Sequence, residues 1–174
     1  MRPHLARSLF SLFLLLAIAL PVAAGPASGD PAPGFVGKGV NGRSVRFDPA
    51  KREHPALVLF WATWCPYCKA LMPHLQTVLD TVGSERLDVY AVTIFEDGEL
   101  DPVAELAARK QTFTLVLEGE GIAADYGVLG TPGLFLVGSD GKVQWVRANG
   151  ADPAVVEREL LDLLQRAPPD PAAR

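Results

Sequence analysis

The chain contains two cysteines, Cys65 and Cys68, whose spacing indicates redox chemistry. If a helix begins at the first cysteine, the second lies one turn later on the same face, within reach of it. Unpaired backbone N–H groups at the start of a helix stabilise a thiolate, and the thiolate is the form that attacks a disulfide. The spacing therefore predicts that Cys65, at the exposed edge, attacks first and that Cys68 resolves the mixed disulfide.

Three other uses of a cysteine pair fit these residues less well. A zinc site needs about four ligands, and neither His54 nor His74 has ligand-like spacing to the pair. Haem attachment requires a histidine directly after the second cysteine, where the chain has Lys69. A purely structural disulfide closing so short a loop would gain little chain entropy. We therefore expect no metal and no cofactor other than a redox-active disulfide.

The first residues have the pattern of a secretory signal peptide. Arg2 and Arg7 precede an almost wholly apolar run at 9–20, and small residues end the segment at Ala24. The apolar run is shorter than the roughly 20 residues that a membrane-spanning helix needs. The pattern predicts a cleaved signal peptide at 1–24. It directs the protein to an oxidising compartment, the bacterial periplasm in the first place, where a cysteine pair can form a disulfide.

The remaining composition indicates one globular domain. The chain has 174 residues, is 49% hydrophobic and carries a net charge of −4. This acidic balance does not favour nucleic acid as a partner, since proteins that bind nucleic acid carry basic patches. We predict a flexible Pro- and Gly-rich leader at 25–33, a domain at 34–166 and a disordered tail at 167–174.

Apolar patterning predicts an α/β domain with helices on both faces of a sheet. A hairpin turn is predicted at Asn41-Gly42. Strands are predicted at 56–62, 87–94, 112–117, 133–137 and 142–146. Helices are predicted after Cys65, with Pro73 inside, at 102–110, and from Asp152 onward.

The run Phe60-Trp-Ala-Thr-Trp-Cys-Pro-Tyr-Cys-Lys69 resembles the active-site segment of the thioredoxin superfamily. It is most similar to the TlpA/ResA-like group of bacterial exported proteins. Pro73 matches the kink proline of that group's active-site helix, and the segment 127–137 resembles its cis-proline loop and following strand. The resemblance implies a thioredoxin-like fold, with a central mixed sheet, helices on both faces and an N-terminal hairpin extension.

The resemblance also implies roles for residues around the cysteines. Pro132 would be cis and would face the pair, and Thr131 would offer its backbone N–H and C=O to an extended substrate segment. Trp64 and Tyr67 would form an apolar rim beside the thiol. Pro66, which has no N–H, fits the first helical turn. We therefore expect these five residues to bind substrate.

The chain departs from the family at the positions of its internal acids. Leu59 stands where thioredoxins carry a buried aspartate, and Leu71 stands where some ResA-like proteins carry a glutamate. Glu96 could approach the site from a neighbouring loop, although charged loop residues are usually exposed, which makes a solvated acid the favoured interpretation. His74 is interpreted as a surface histidine. Proton transfer is then expected to involve water or the substrate.

The resemblance implies an exported thiol–disulfide oxidoreductase that reduces or exchanges disulfides in other exported proteins. A membrane electron donor of the DsbD/CcdA type would recharge its pair, and the enzyme is expected to be a monomer. Two alternatives stay open. One is a disulfide-donating oxidant of the DsbA type, since Pro66-Tyr67 indicates a less reducing pair than that of thioredoxin. The other is a Sco-like metal-handling module, although that group spaces its cysteines CxxxC and adds a distant histidine.

Overall fold

The computed structural model describes residues 25–166. The predicted signal peptide at 1–24 and the predicted tail at 167–174 lie outside the described residues. Within 25–166, no helix has the length and apolar character needed to cross a bilayer.

The described chain forms seven strands and four α-helices. The strands are β1 Phe35–Lys38, β2 Ser44–Phe47, β3 Ala56–Trp61, β4 Asp88–Thr93, β5 Thr114–Val116, β6 Gly133–Val137 and β7 Val143–Val146. The helices are α1 Pro66–Val82, α2 Pro102–Ala108, α3 Glu120–Asp125 and α4 Pro153–Arg166. The five strands predicted from apolar runs are confirmed as β3 to β7, with ends shifted by a residue or two.

Strands β3 to β7 form one mixed sheet in the order β5-β4-β3-β6-β7. Strand β3 runs parallel to β4, and β4 parallel to β5, whereas β6 pairs antiparallel with β3 and β7 antiparallel with β6. Every residue of β3 is buried because the strand is central and covered on both faces. The start of α1 therefore lies at the carboxyl end of the central strand.

Alternate side chains of β3 enter two separate cores. Leu57, Leu59 and Trp61 pack in one cluster with the buried residues of α1 and α4. Val58 and Phe60 pack in the other, with α3 and the β1–β2 hairpin. The prediction of helices on both faces is confirmed.

The hairpin turn predicted at Asn41-Gly42 is also confirmed. Asn41 and Gly42 have φ values of 57° and 73°, as the turn between β1 and β2 requires. Asp101 caps α2, since its side chain accepts a hydrogen bond from Val103 N. Helix α3 was not predicted, because it is six residues long and buries only Ala123, so it leaves no periodic apolar pattern.

The flexible leader predicted for 25–33 is instead held against the sheet. Gly29 N donates to Val143 O at 2.8 Å, Val143 N donates to Asp30 O at 2.9 Å, and Pro31 forms a bridge with Lys142. The outer edge of β7 thus supplies backbone partners that composition does not reveal. At the opposite edge of the sheet, Leu117, just after β5, pairs with Lys38 of β1.

Candidate functional site

Cys65 occupies the position that caps the amino end of α1. It forms a disulfide with Cys68, and their Cα atoms are 5.3 Å apart. The backbone N–H of Cys68 donates to Cys65 Sγ at 3.1 Å. Pro66 follows at the first helical position, where its missing N–H costs no helical hydrogen bond. A sulfur placed here is stabilised in its anionic form by that N–H and by the helix dipole.

Both sulfurs lie deeper than the sequence indicated. Cys65 is only 2% exposed and Cys68 is fully buried, so the prediction that Cys65 sits at an exposed edge is wrong for this disulfide form. The reason is that the first turn of α1 packs into the same apolar cluster as Trp61 and Leu134.

On the β4 side, hydrogen bonds between Glu96 and Thr63 fix the short segment that leads from β3 to Cys65. The Glu96 carboxylate accepts hydrogen bonds from Thr63 N at 2.9 and 3.2 Å, and also from Thr63 Oγ1. Thr63 is fully buried. The favoured interpretation of Glu96 as a solvated acid is therefore wrong, because the side chain turns inward to satisfy buried donors two residues before Cys65.

A second set of contacts on that side holds Trp64. Its Nε1 donates to Phe95 O at 2.7 Å, and Phe95 N donates to Glu120 Oε1 at 2.9 Å. Trp64 is 46% exposed. Its ring therefore forms an apolar rim in a defined position.

The opposite side is built by the loop before β6. The Thr131–Pro132 peptide bond is cis, as predicted, and β6 begins at the next residue, Gly133. Gly133 is the register partner of Phe60 near the end of β3. Thr131 and Pro132 therefore lie beside the carboxyl end of the central strand, where α1 begins.

A groove of about 650 Å³ extends from this loop. Its lining comprises Tyr67, the segment 127–135, Val146, Arg147, Asn149 and Gly150. Tyr67, Thr131 and Pro132 are thus brought together as predicted, whereas Trp64 lies outside the lining. Leu129 is 95% exposed and Tyr67 is 73% exposed, so the rim of the groove is open and partly apolar.

Other residues considered from the sequence take structural positions. Leu59 and Leu71 are fully buried, so their side chains add apolar packing and no acid near the cysteines. Lys69 pairs with Glu105 at 3.5 Å. His74 Nδ1 lies 2.5 Å from Glu157 Oε2 and links α1 to α4. The interpretation of His74 as a surface residue is thus corrected, since it is half-buried in a helix contact.

Residues 25–166 include no group of three or more His, Cys, Asp or Glu side chains placed to hold a metal ion.

The sequence offered no signal for Arg147, a single cation after a strand. Glu96 and Thr63 follow two neighbouring parallel strands, but a charged loop residue is usually solvated, so the sequence gives no signal that the two side chains meet.

Comparison with known proteins agrees with this geometry. Residues 28–146 match the model of the AhpC/TSA family. Thioredoxin-like protein YneN of Bacillus subtilis is 30% identical over 138 residues, covering 78% of this chain and 80% of that protein. Thiol:disulfide interchange protein DsbE of Escherichia coli is 27% identical over 142 residues, covering 79% and 74%.

Solved structures give the same result for the fold. The thioredoxin domain of a thiol-disulfide oxidoreductase from Bacteroides vulgatus superposes with a TM-score of 0.64 at 25% identity. The match covers 77% of this chain and 98% of that one. The chain belongs to the AhpC/TSA family and is a thioredoxin-like thiol–disulfide oxidoreductase.

Proposed function

We propose that this protein is an exported enzyme that reduces or exchanges disulfides in other exported proteins. The Cys65 thiolate attacks a substrate disulfide, forms a mixed disulfide and releases one substrate thiolate. The Cys68 thiolate then attacks Cys65 Sγ and releases the second substrate thiolate. The substrate gains two electrons, and the enzyme is left with its Cys65–Cys68 disulfide.

The observation that carries the proposal is the hydrogen bond from Cys68 N to Cys65 Sγ at the start of α1. In the reduced enzyme the same N–H would stabilise a Cys65 thiolate, which supports Cys65 as the attacking cysteine. The cis-Pro132 loop and the groove beside it offer backbone groups and apolar surface for an extended substrate.

Proton transfer in this enzyme is assigned to water or to the substrate. Leu59 and Leu71 provide no acid, and the Glu96 carboxylate is engaged with Thr63. Among the described residues, the hydrogen bonds of the two sulfurs involve no carboxylate. Resolution by Cys68 should therefore be slow at low pH and faster as the pH rises.

The proposal includes export to the periplasm and a dedicated electron donor. The pattern at 1–24 supports export. Since the periplasm is oxidising, a reductase there must be recharged after each turnover, and a membrane protein of the DsbD/CcdA type would do this. The enzyme is proposed to act as a monomer.

The deciding measurement is the reduction potential of Cys65–Cys68 in glutathione or dithiothreitol buffers. A value near or below about −220 mV supports a reductase, whereas a value near about −120 mV marks a disulfide donor. Insulin reduction by the mature protein provides the activity test, with Cys65→Ser as the inactive control. Failure both to reduce insulin and to exchange with a mixed disulfide would overturn the proposal.

A further inference from the structure

Arg147 lies beside the cis-Pro132 loop. It follows β7 directly, and its backbone N–H donates to Leu134 O at 2.9 Å. Leu134 is two residues after Pro132. Arg147 therefore lies next to β6, on the side away from the central strand β3. Arg147 lines the groove together with Tyr67 and Thr131.

The guanidinium of Arg147 is incompletely partnered by the described residues. One Nη donates to Ala151 O at 2.8 Å, while the buried Nε has no hydrogen-bond partner. No carboxylate within residues 25–166 forms an ion pair with it. Burial lowers the pKa of Arg147 below its ordinary value. A half-buried cation without a counter-charge is unfavourable, and a carboxylate would relieve this.

Several other cations in the described chain have acidic partners. Four ion pairs show this: Lys38–Glu118, Arg52–Asp88, Arg109–Glu105 and Arg166–Asp162. Six further cations also lack an ion pair, but all six are exposed: Arg43, Arg46, Arg86, Lys110, Lys142 and Arg158. Among the described residues, Arg147 is thus the one half-buried cation without an acidic partner.

The groove itself is complementary to an acidic segment with apolar neighbours. Among the described residues that line it, Arg147 is the one that carries a charge. Tyr67, Leu129 and Val146 place exposed apolar surface around it. Acidic residues are missing from this lining, so the groove offers nothing to attract a basic segment.

We propose that the groove selects substrates in which an Asp or Glu lies within a few residues of the reacting cysteine, and that Arg147 binds that carboxylate. This inference rests on the proposed function and names its substrate class. Thr131 would position the substrate backbone, while Arg147 would distinguish one segment from another. Guanidinium–carboxylate pairing can be bidentate, which favours an extended segment in one register.

The test compares two disulfide-containing peptides that differ only by Glu or Gln near the cysteine. The reduced mature enzyme should show a kcat/KM for the Glu peptide about tenfold above that for the Gln peptide, as a charge-assisted hydrogen bond would give. The preference should shrink at high ionic strength. Arg147→Gln should abolish it, and Arg147→Glu should reverse it towards a peptide with Lys at the same position.

The matched control is Arg86→Gln, which removes one positive charge from an exposed residue before β4, at the opposite end of the sheet. It should keep the Glu preference. Equal kcat/KM values for the two peptides with the wild-type enzyme would overturn the inference, whatever the stability of the Arg147 variants.

Hydroxyethyl disulfide, which is uncharged, separates this inference from the proposed function. If the wild-type enzyme reduces it and yet shows no Glu preference, the inference fails and the proposed function stands. If the enzyme reduces neither hydroxyethyl disulfide nor either peptide, the proposed function itself fails.

Discussion

The two sides of the cysteine pair are built differently. On the β4 side, Thr63 and Trp64 are held by hydrogen bonds to Glu96 and Phe95. On the β6 side, the loop at 127–132 and Arg147 border an open groove, and the Nε of Arg147 has no partner among the described residues. The difference indicates that one side fixes the position of the cysteines and that the other is available for a ligand. The predictions below are ordered by their expected effect on the free energy of unfolding.

The largest effect on the free energy of unfolding is expected on the β4 side. Glu96→Ala leaves Thr63 N and Oγ1 as buried donors without an acceptor, so we expect a loss of about 2–3 kcal/mol in the free energy of unfolding. Urea denaturation of the oxidised protein measures this change. Glu99→Ala, an exposed acid in the same loop, is the control and should change stability by less than about 0.5 kcal/mol. Equal effects of the two substitutions would mean that Glu96 does not hold Thr63.

An intermediate effect is expected at Tyr126, which directly precedes the loop at 127–132 on the β6 side. Its ring is buried, and its hydroxyl donates to Pro33 O at 2.8 Å. Tyr126→Phe keeps the ring and removes this hydrogen bond, so we expect a loss of about 1 kcal/mol near neutral pH. Tyr67→Phe, at an exposed ring, is the control for stability and should have no comparable effect.

Tyr126 should also make stability depend on alkaline pH. Burial raises the pKa of Tyr126 above its ordinary value. The unfolded chain therefore releases this proton above pH about 10 while the folded chain retains it. The contribution is fully present below that pH, and the free energy of unfolding falls as pH rises further. Denaturation between pH 9 and 11 should show a shallower fall for Tyr126→Phe than for the wild type; parallel curves would contradict the assignment.

The smallest effect on stability is expected at the rim of the groove. Leu129 is 95% exposed, so Leu129→Ser should change the free energy of unfolding by less than about 0.5 kcal/mol. If the groove contacts protein substrates, the same variant should lower the ratio of insulin reduction to hydroxyethyl disulfide reduction, by up to about tenfold if Leu129 is buried on binding. Leu100→Ser, at an exposed leucine in the loop after β4, is the control variant. An unchanged ratio for Leu129→Ser would place the substrate elsewhere.

Much of the fold could be predicted from the sequence because the sheet strands are apolar and bounded by turn residues. Strand β3 was expected at 56–62 and is observed at Ala56–Trp61. Helix α3 gave no periodic signal, since it is short and buries one residue. The segment at 25–33 was misjudged because its order comes from backbone hydrogen bonds to β7, which Pro and Gly content does not encode.

The site was predictable where a local motif defines it. The cysteine pair, its position at a helix start and cis-Pro132 all follow from short runs of residues. Glu96 and Arg147 depend on contacts between distant segments: Glu96 lies 33 positions from Thr63. A charged residue in a loop is usually solvated, so only the fold shows that Glu96 turns inward and that Arg147 enters a groove.

The pairing of the N-terminal segment with both outer strands has a consequence for self-association. Exposed strand edges are templates on which copies of a protein can add and aggregate. Here Pro31 occupies a backbone position beside Lys142 at the β7 edge, and Lys38 does the same beside Leu117 at the β5 edge. One short stretch of chain, preceding the central strand, thus covers part of both outer edges of the sheet and leaves less unpaired backbone on which a second copy could add.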